Sequence, residues 1–193
     1  MIVISGTGRS GTTYLMELFA ELGFDTGPWT EAHYHHVASA GRERNVLKSA
    51  GYRVVKSPHF CDQVDAAVAA GIGIEHVIIP VRNIEDAAAS RVRVQEAATG
   101  SRDGKGVPGG LWGTTSAEDQ ASVLSRKLAS LVESLVRHDI PMTMLYFPRI
   151  TTDEDYLFRK LSPLMPAMTY SAFLLAFAEV ARPERVHSFG IAT

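Results

Sequence analysis

Residues 2–13 read IVISGTGRSGTT. A short apolar run ends in a glycine-rich turn, and an apolar segment compatible with a helix follows directly, over residues 14–22. This order places successive backbone N–H groups and a helix N-terminus around one point, which predicts a cradle for phosphate. Four residues separate Gly6 from Gly11, and that spacing is typical of a phosphate-binding loop.

The lysine that normally follows the second glycine of such a loop is missing, and Thr12 stands in its place. Loops that act on nucleoside triphosphates use that lysine on the β- and γ-phosphates. An ATP-dependent kinase or hydrolase would therefore lack its main electrostatic element here. Arg9 is the cation within the loop, and it suits a single phosphate or sulfate group. The alternative interpretation is a glycine-rich turn between a strand and a helix that binds no ligand.

Length and composition predict one ordinary soluble domain spanning residues 1–193. Hydrophobic residues make up 46% of the 193-residue chain and charged residues 21%, and the net charge is −2. That balance argues against a broad surface for nucleic acid or for anionic membranes, so no nucleic-acid partner is expected.

Cysteine usage and hydropathy indicate the compartment. The single cysteine, Cys61, excludes an intramolecular disulfide, is typical of a reducing compartment, and is interpreted as an inert thiol rather than a nucleophile. The first residues lack the pattern of a signal peptide, and no uncharged apolar run reaches the roughly 18 residues that a membrane span needs. We therefore expect a cytoplasmic protein with no membrane span.

Short apolar runs that alternate with helix-compatible segments indicate the fold class. Such alternation predicts an α/β protein, a three-layer sandwich with a central parallel sheet of four or five strands. Ligands of these sheets bind at the carboxyl ends of the strands. The predicted strands are 2–5, 53–56, 76–81 and 141–147, and the predicted helices are 13–22, 61–70, 84–97, 117–138, 153–161 and 169–180.

Two segments interrupt this alternation, residues 23–44 and residues 99–116. Loops of this length in a compact domain are usually functional or disordered. We expect both segments to cover the site, the second as a mobile lid.

Chemically active side chains follow two further predicted strands. Lys56 ends one strand, and Arg82 ends the next, with Ser90 eight residues later and about two helical turns into the following element. A guanidinium and a hydroxyl so placed are suited to a second phosphate.

Each of these residues also has a plainer interpretation. Lys56 would be a solvated cation at a strand end, and Ser90 an ordinary helix residue. Arg82 would be an ion-pair partner of Glu85 or Asp86.

Together these residues resemble the sulfotransferases that use 3′-phosphoadenosine 5′-phosphosulfate. The run Arg9-Ser10-Gly11-Thr12-Thr13 resembles the family's 5′-phosphosulfate loop, in the form with arginine that tyrosylprotein-type and many bacterial members carry. Arg82 and Ser90 resemble the family's 3′-phosphate motif, and Lys56 with Pro58 resembles its strand-end lysine and proline-containing turn. The resemblance covers the first half of the chain and fades after it.

The resemblance implies a P-loop nucleoside triphosphate hydrolase-like fold and transfer of a sulfuryl group from 3′-phosphoadenosine 5′-phosphosulfate (PAPS) to a hydroxyl or amine. It implies PAPS as the donor, with no metal required. Residues 9–13 would hold the 5′-phosphosulfate, Arg82 and Ser90 the 3′-phosphate, and Lys56 the bridging oxygen. The expected partner is a small-molecule acceptor, with a sugar or a lipid as candidates, and the pattern carries no signal for the oligomeric state.

Two residues are candidates for the general base that an attacking hydroxyl requires. Glu31 follows a Gly-Pro turn after the first helix, where some bacterial and tyrosylprotein-type members place a catalytic glutamate, and it ranks first. His59 ranks second, because cytosolic members place a histidine two residues after the strand-end lysine and here the separation is three. The neighbouring His33, His35 and His36 are expected to line the acceptor site or a solvated loop, since His-x-His alone is poor evidence for a metal.

Two other classes remain open at this point. One is an ATP-dependent small-molecule or nucleotide kinase with a degenerate phosphate loop, which would need Mg²⁺. The other is a non-catalytic nucleotide-binding relative that kept the loop and lost the chemistry.

Overall fold

Four parallel strands form the centre of the computed structural model, which describes residues 1–30, 34–35, 40–49 and 51–186. In chain order the strands are β1 (Ile2–Ile4), β2 (Tyr34–His35), β3 (Ala40–Gly41), β4 (Val54–Lys56), β5 (His76–Val81) and β6 (Met142–Tyr146). The central sheet has the order β4-β1-β5-β6, while β2 and β3 form a short antiparallel ribbon.

Helices cover both faces of this sheet. In chain order they are α1 (Thr12–Glu21), α2 (Val64–Ala69), α3 (Ile84–Thr99), α4 (Gln120–Arg137), α5 (Glu154–Leu161) and α6 (Tyr170–Val180). The helices α1, α5 and α6 pack with one face of the sheet, and α2 and α4 pack with the other. The helix α3 lies against α4 through a smaller apolar cluster.

The alternation of side chains along β1 explains why two core layers form. Ile2 and Ile4 point to the layer that contains α1, whereas Val3 points to the layer that contains α4. Successive residues of a strand face opposite sides, and a parallel sheet that is covered on both sides needs apolar residues at every position. All three residues of β1 are buried, which accounts for its uninterrupted apolar sequence.

The predicted α/β class with a central parallel sheet is confirmed, and the sheet has four strands. All four predicted strands match observed strands to within one residue at each end. The segment predicted as a helix over residues 61–70 begins instead as a 3₁₀ turn, Pro58–Asp62, before α2 starts. Among the described residues, no helix is both long and apolar enough to cross a membrane.

Parallel pairing brings the predicted site residues to one edge of the sheet. Ile4, the last residue of β1, is paired with Lys56 of β4 and with Ile78 of β5. The chain leaving β1 therefore runs between Lys56 on one side and the end of β5, with Arg82 directly after it, on the other.

Candidate functional site

The loop between β1 and α1 turns sharply because several of its residues adopt positive φ. Gly8 has φ +67° and Gly11 has φ +85°, a region that side chains other than glycine rarely enter. Arg9 adopts φ 56° although it is not a glycine. Strained backbone of this kind costs about 1–3 kcal/mol and persists where surrounding contacts hold it. The loop thus points its backbone towards the N-terminus of α1, whose first N–H groups have no acceptor within the helix.

Arg91 lies directly behind this loop and holds it in place. Its Nη2 and Nε donate to the carbonyl of Thr7 at 2.8 and 3.2 Å, and its Nη1 donates to the carbonyl of Gly110 at 2.7 Å. The side chain belongs to α3 and is only 6% exposed. Gly8 leaves room for it, since a Cβ there would lie 2.5 Å from Nη2.

Lys56 reaches the same loop from the neighbouring strand. Its Nζ donates to Thr13 Oγ1 at 2.9 Å and to the carbonyl of Gly41 at 2.7 Å, and it lies 3.5 Å from Glu43 Oε1. The residue is 2% exposed, so it is not the solvated cation of the plainer interpretation. The structure therefore brings a lysine to the loop from β4, although the loop itself has none.

Arg82 and Ser90 also contact the loop. Arg82 Nη1 donates to the carbonyl of Arg9 at 3.0 Å, and Arg9 Nε donates to Ser90 Oγ at 3.0 Å. The guanidinium of Arg82 also lies 5.3 Å from the centre of the Phe147 ring. The two predicted anion-binding motifs are thus in direct contact and form one continuous polar surface.

Burial and mutual repulsion shift the pKa values of this cation cluster. Burial lowers the pKa of Lys56 to about 8; Glu43 opposes this shift, and Arg9 and Arg91 add to it. Burial, with a smaller contribution from Arg9, lowers the pKa of Arg91 to about 10, so Arg91 remains charged at neutral pH. The pKa values of Arg9 and Arg82 are also lowered, mainly by burial, with Arg82 contributing at Arg9 and Asp86 opposing the shift at Arg82. Placing like charges together in a poorly solvated site is costly unless an anion joins them.

One cleft joins these groups. Most of the predicted donor-binding residues line it: Arg9, Gly11, Thr12, Thr13, Lys56, Arg82 and Ser90. Ser10 does not, since it is fully buried and its Oγ has no hydrogen-bond partner among the described residues. Apolar and aromatic side chains also line the cleft, among them Tyr14, Phe147, Val180 and Val186.

Of the two predicted general bases, the structure describes His59 but not Glu31. His59 is exposed in the 3₁₀ turn after β4, and its ring packs edge-on against Trp112 with the centroids 5.4 Å apart. It is not among the described residues that line the cleft, although Pro58 beside it is. Glu31, His33 and His36 lie outside the described residues.

The segment predicted as a mobile lid is tied to the helices on either side of it. Gln95 of α3 accepts from the N–H groups of Val107 and Leu111 and donates to the carbonyl of Lys105. Gln120 of α4 binds both backbone groups of Trp112. Both glutamines are at most 1% exposed. We call residues 100–119 the strap, because these contacts and the Arg91–Gly110 bond fasten it beside the loop.

Two residues of this site, Arg91 and Glu43, were not predicted from the sequence. A signal for Arg91 was present, since it shares a helical face with Ala87, Ala88 and Gln95, all of which are buried. A charged residue on a face with two small apolar residues predicts a buried cation. Glu43 carried no local signal, because its position depends on a bridge between residue 43 and the end of β4.

Neither the cysteine nor the metal-ligating side chains form a second candidate site among the described residues. Burial raises the pKa of the Cys61 thiol to about 12, in keeping with an inert side chain. No group of three or more metal-ligating side chains occurs within the part of the chain that the structure describes.

Neither a scan against protein-family models nor a search of curated proteins finds a match for this chain.

Proposed function

We propose that this protein is a sulfotransferase with a P-loop fold, which moves a sulfuryl group from PAPS to a hydroxyl or amine of a small-molecule acceptor. One observation carries the proposal: two deeply buried cations, Lys56 and Arg91, converge on a glycine-rich loop. The carboxylate that faces them, Glu43, is itself 46% exposed. A site built this way favours an anionic ligand, because buried charges need partners.

The contacts of the cleft support a division of roles. Residues 9–13 and the N-terminus of α1 would hold the 5′-phosphosulfate. Arg82 and Ser90 would hold the 3′-phosphate, and the Arg9–Ser90 hydrogen bond keeps the two sites close enough for one doubly phosphorylated nucleoside. Lys56 would face the bridging oxygen, since it already contacts Thr13 at the start of α1.

This arrangement suits sulfuryl transfer because the reaction depends on position and on positive charge around the moving group. The donor supplies the activated sulfuryl group. The protein supplies fixed donors, which are the loop N–H groups and the hydroxyls of Thr12 and Thr13, and the positive charge of Lys56 beside them. Thr13 Oγ1 accepts from Lys56, so its own hydrogen is free to point to a ligand oxygen.

A calorimetric titration with adenosine 3′,5′-bisphosphate, the product of the donor, tests the proposal. We expect binding without Mg²⁺ that is at least about tenfold tighter than binding of ATP. Arg9→Ala should weaken binding by roughly 10- to 100-fold, because it removes a charge-assisted hydrogen-bond donor, and should also slow turnover of PAPS.

The outcomes separate the three classes. Tighter binding of ATP that depends on Mg²⁺ would favour the kinase instead. Binding of the bisphosphate without any turnover of PAPS would favour a non-catalytic relative. Failure to bind the bisphosphate at all would refute the donor assignment.

A further inference from the structure

Glu43 is a carboxylate of the cleft that neither predicted motif includes. Its side chain lines the cleft and is 46% exposed, so it is open to a molecule that enters from solvent. Its Oε1 lies 3.5 Å from Lys56 Nζ. Glu43 thus contacts the cation of the site and is also open to solvent.

The backbone around Glu43 is fixed to the end of β4. Glu43 forms a parallel bridge with Lys56, and the N–H of Arg44 donates to the carbonyl of Lys56 at 2.9 Å. The guanidinium of Arg44 lies between two aromatic rings, 4.3 Å from the centre of Trp29 and 4.5 Å from that of Tyr52. The backbone at Glu43 is therefore fixed against the end of β4.

Lys56 links Glu43 to the phosphate loop. An ammonium has three donors, and here they face Gly41, Thr13 and Glu43. One side chain thus separates the carboxylate from Thr13, the second residue of α1. Glu17 also lines the cleft, but no described hydrogen bond or ion pair connects it to Lys56.

We infer that Glu43 is the proton acceptor for the attacking group, an assignment that rests on the proposed sulfuryl transfer. The acceptor oxygen forms a bond to sulfur while the bond between sulfur and the bridging oxygen breaks. The electron pair of the broken bond stays on the 5′-phosphate, whose new charge lies beside Lys56. The proton of the acceptor hydroxyl passes to the carboxylate of Glu43, and no oxidant or reductant takes part.

Replacing the carboxylate by an amide of the same shape, Glu43→Gln, tests the assignment. The probes are adenosine 3′,5′-bisphosphate, whose binding is measured by calorimetry, and radiolabelled PAPS with water as the acceptor, whose sulfate release is measured under saturation. We expect the rate to fall by about 10²- to 10⁴-fold, the usual contribution of a general base. Binding, measured at about pH 6 so that Lys56 stays protonated without the carboxylate that raises its pKa, should become tighter by a factor of about 2 to 10, because a negative charge leaves the neighbourhood of the anion.

A slower rate together with tighter binding distinguishes a general base from a structural residue, because the loss of a structural residue would lower both the rate and the affinity. Glu133→Gln on the exposed face of α4 is the matched control and should change neither. Glu43→Ala should regain at least about tenfold in rate when formate is added, since a small carboxylate can replace the missing base.

Three results would each overturn the assignment. The first is a Glu43→Gln rate within about threefold of the wild type, and the second is a loss of both rate and affinity in this variant. The third is a failure of formate to restore the rate of Glu43→Ala. Those results would leave the proposed function standing if the wild type binds the bisphosphate and turns over PAPS. A wild type that does neither would overturn the proposed function and the assignment together.

Discussion

Gly8→Ala tests whether Arg91 braces the phosphate loop. A Cβ at Gly8 would lie 2.5 Å from Arg91 Nη2, which is too close for both atoms to stay where they are. The guanidinium has little room to move, because all three of its nitrogens donate to backbone carbonyls of Thr7 and Gly110. The substitution should therefore break at least one of these bonds.

The chain contains a matched control for the backbone strain. Gly71 has φ +68°, nearly the same as the +67° of Gly8, and a Cβ there would meet nothing within 4 Å. Left-handed backbone costs an alanine about 1–2 kcal/mol at either site. Loss of one hydrogen bond from a charged group adds about 1.5–3 kcal/mol at Gly8 alone. We expect Gly8→Ala to be less stable than Gly71→Ala by about 2 kcal/mol, which corresponds to roughly 4–8 °C in Tm.

Urea denaturation and calorimetric scans of the wild type and both variants measure this difference. In an Arg91→Met background the difference should shrink, because the group that the new methyl displaces is gone. Equal losses of unfolding free energy for Gly8→Ala and Gly71→Ala, within about 0.5 kcal/mol, would refute the conclusion that Arg91 holds the phosphate loop in place.

Three further predictions address the cation cluster and the strap. Because burial lowers the pKa of Lys56 to about 8, the native protein loses this proton as the pH rises through that value. An anion binds the form in which Lys56 is protonated, so the affinity for the bisphosphate should fall by up to about tenfold per pH unit above about pH 8. Calorimetry should find this fall in the wild type and not in Lys56→Met. Arg82→Ala should weaken bisphosphate binding by roughly 10- to 100-fold with a smaller effect on the rate at saturating PAPS, whereas Arg93→Ala on the exposed face of α3 should change neither in the same assays. Gln95→Leu leaves three backbone groups of the strap without their hydrogen-bond partners, and each loss costs about 1–3 kcal/mol. Amide hydrogen exchange should therefore accelerate across residues 105–111. Unchanged protection there would contradict the conclusion that Gln95 holds the strap in place.

Much of the fold was predictable because it depends on local pattern. The run over residues 2–4 is apolar at every position, which indicates a strand covered on both faces, and the structure buries all three residues. The same logic located the other strands of the sheet to within a residue. The prediction was weakest where side chains outside the pattern act, as at the strap, whose order comes from Gln95 and Gln120 on the flanking helices.

The residues of the candidate site also differ in how far local pattern could predict them. Glycine spacing and strand ends were sufficient to indicate Arg9, Thr13, Lys56 and Arg82, because parallel strands deliver their carboxyl ends to one edge. His59 follows a strand end too, yet its ring packs against Trp112 instead of lining the cleft. A position after a strand fixes the neighbourhood of a side chain but not its direction.

Spacing along the chain therefore establishes the α/β architecture and the glycine-rich turn at the end of the first strand, since periodicity and turn geometry involve residues that are near neighbours. The charge balance of the cleft comes only from packing. Glu43, Lys56 and Arg91 belong to three separate segments of the chain. They meet because residue 43 bridges to the end of β4, β4 lies beside β1, and α3 lies behind the loop. Burial then sets the strength of their interactions, because the free energy of a charge depends on the groups and the solvent around it in space.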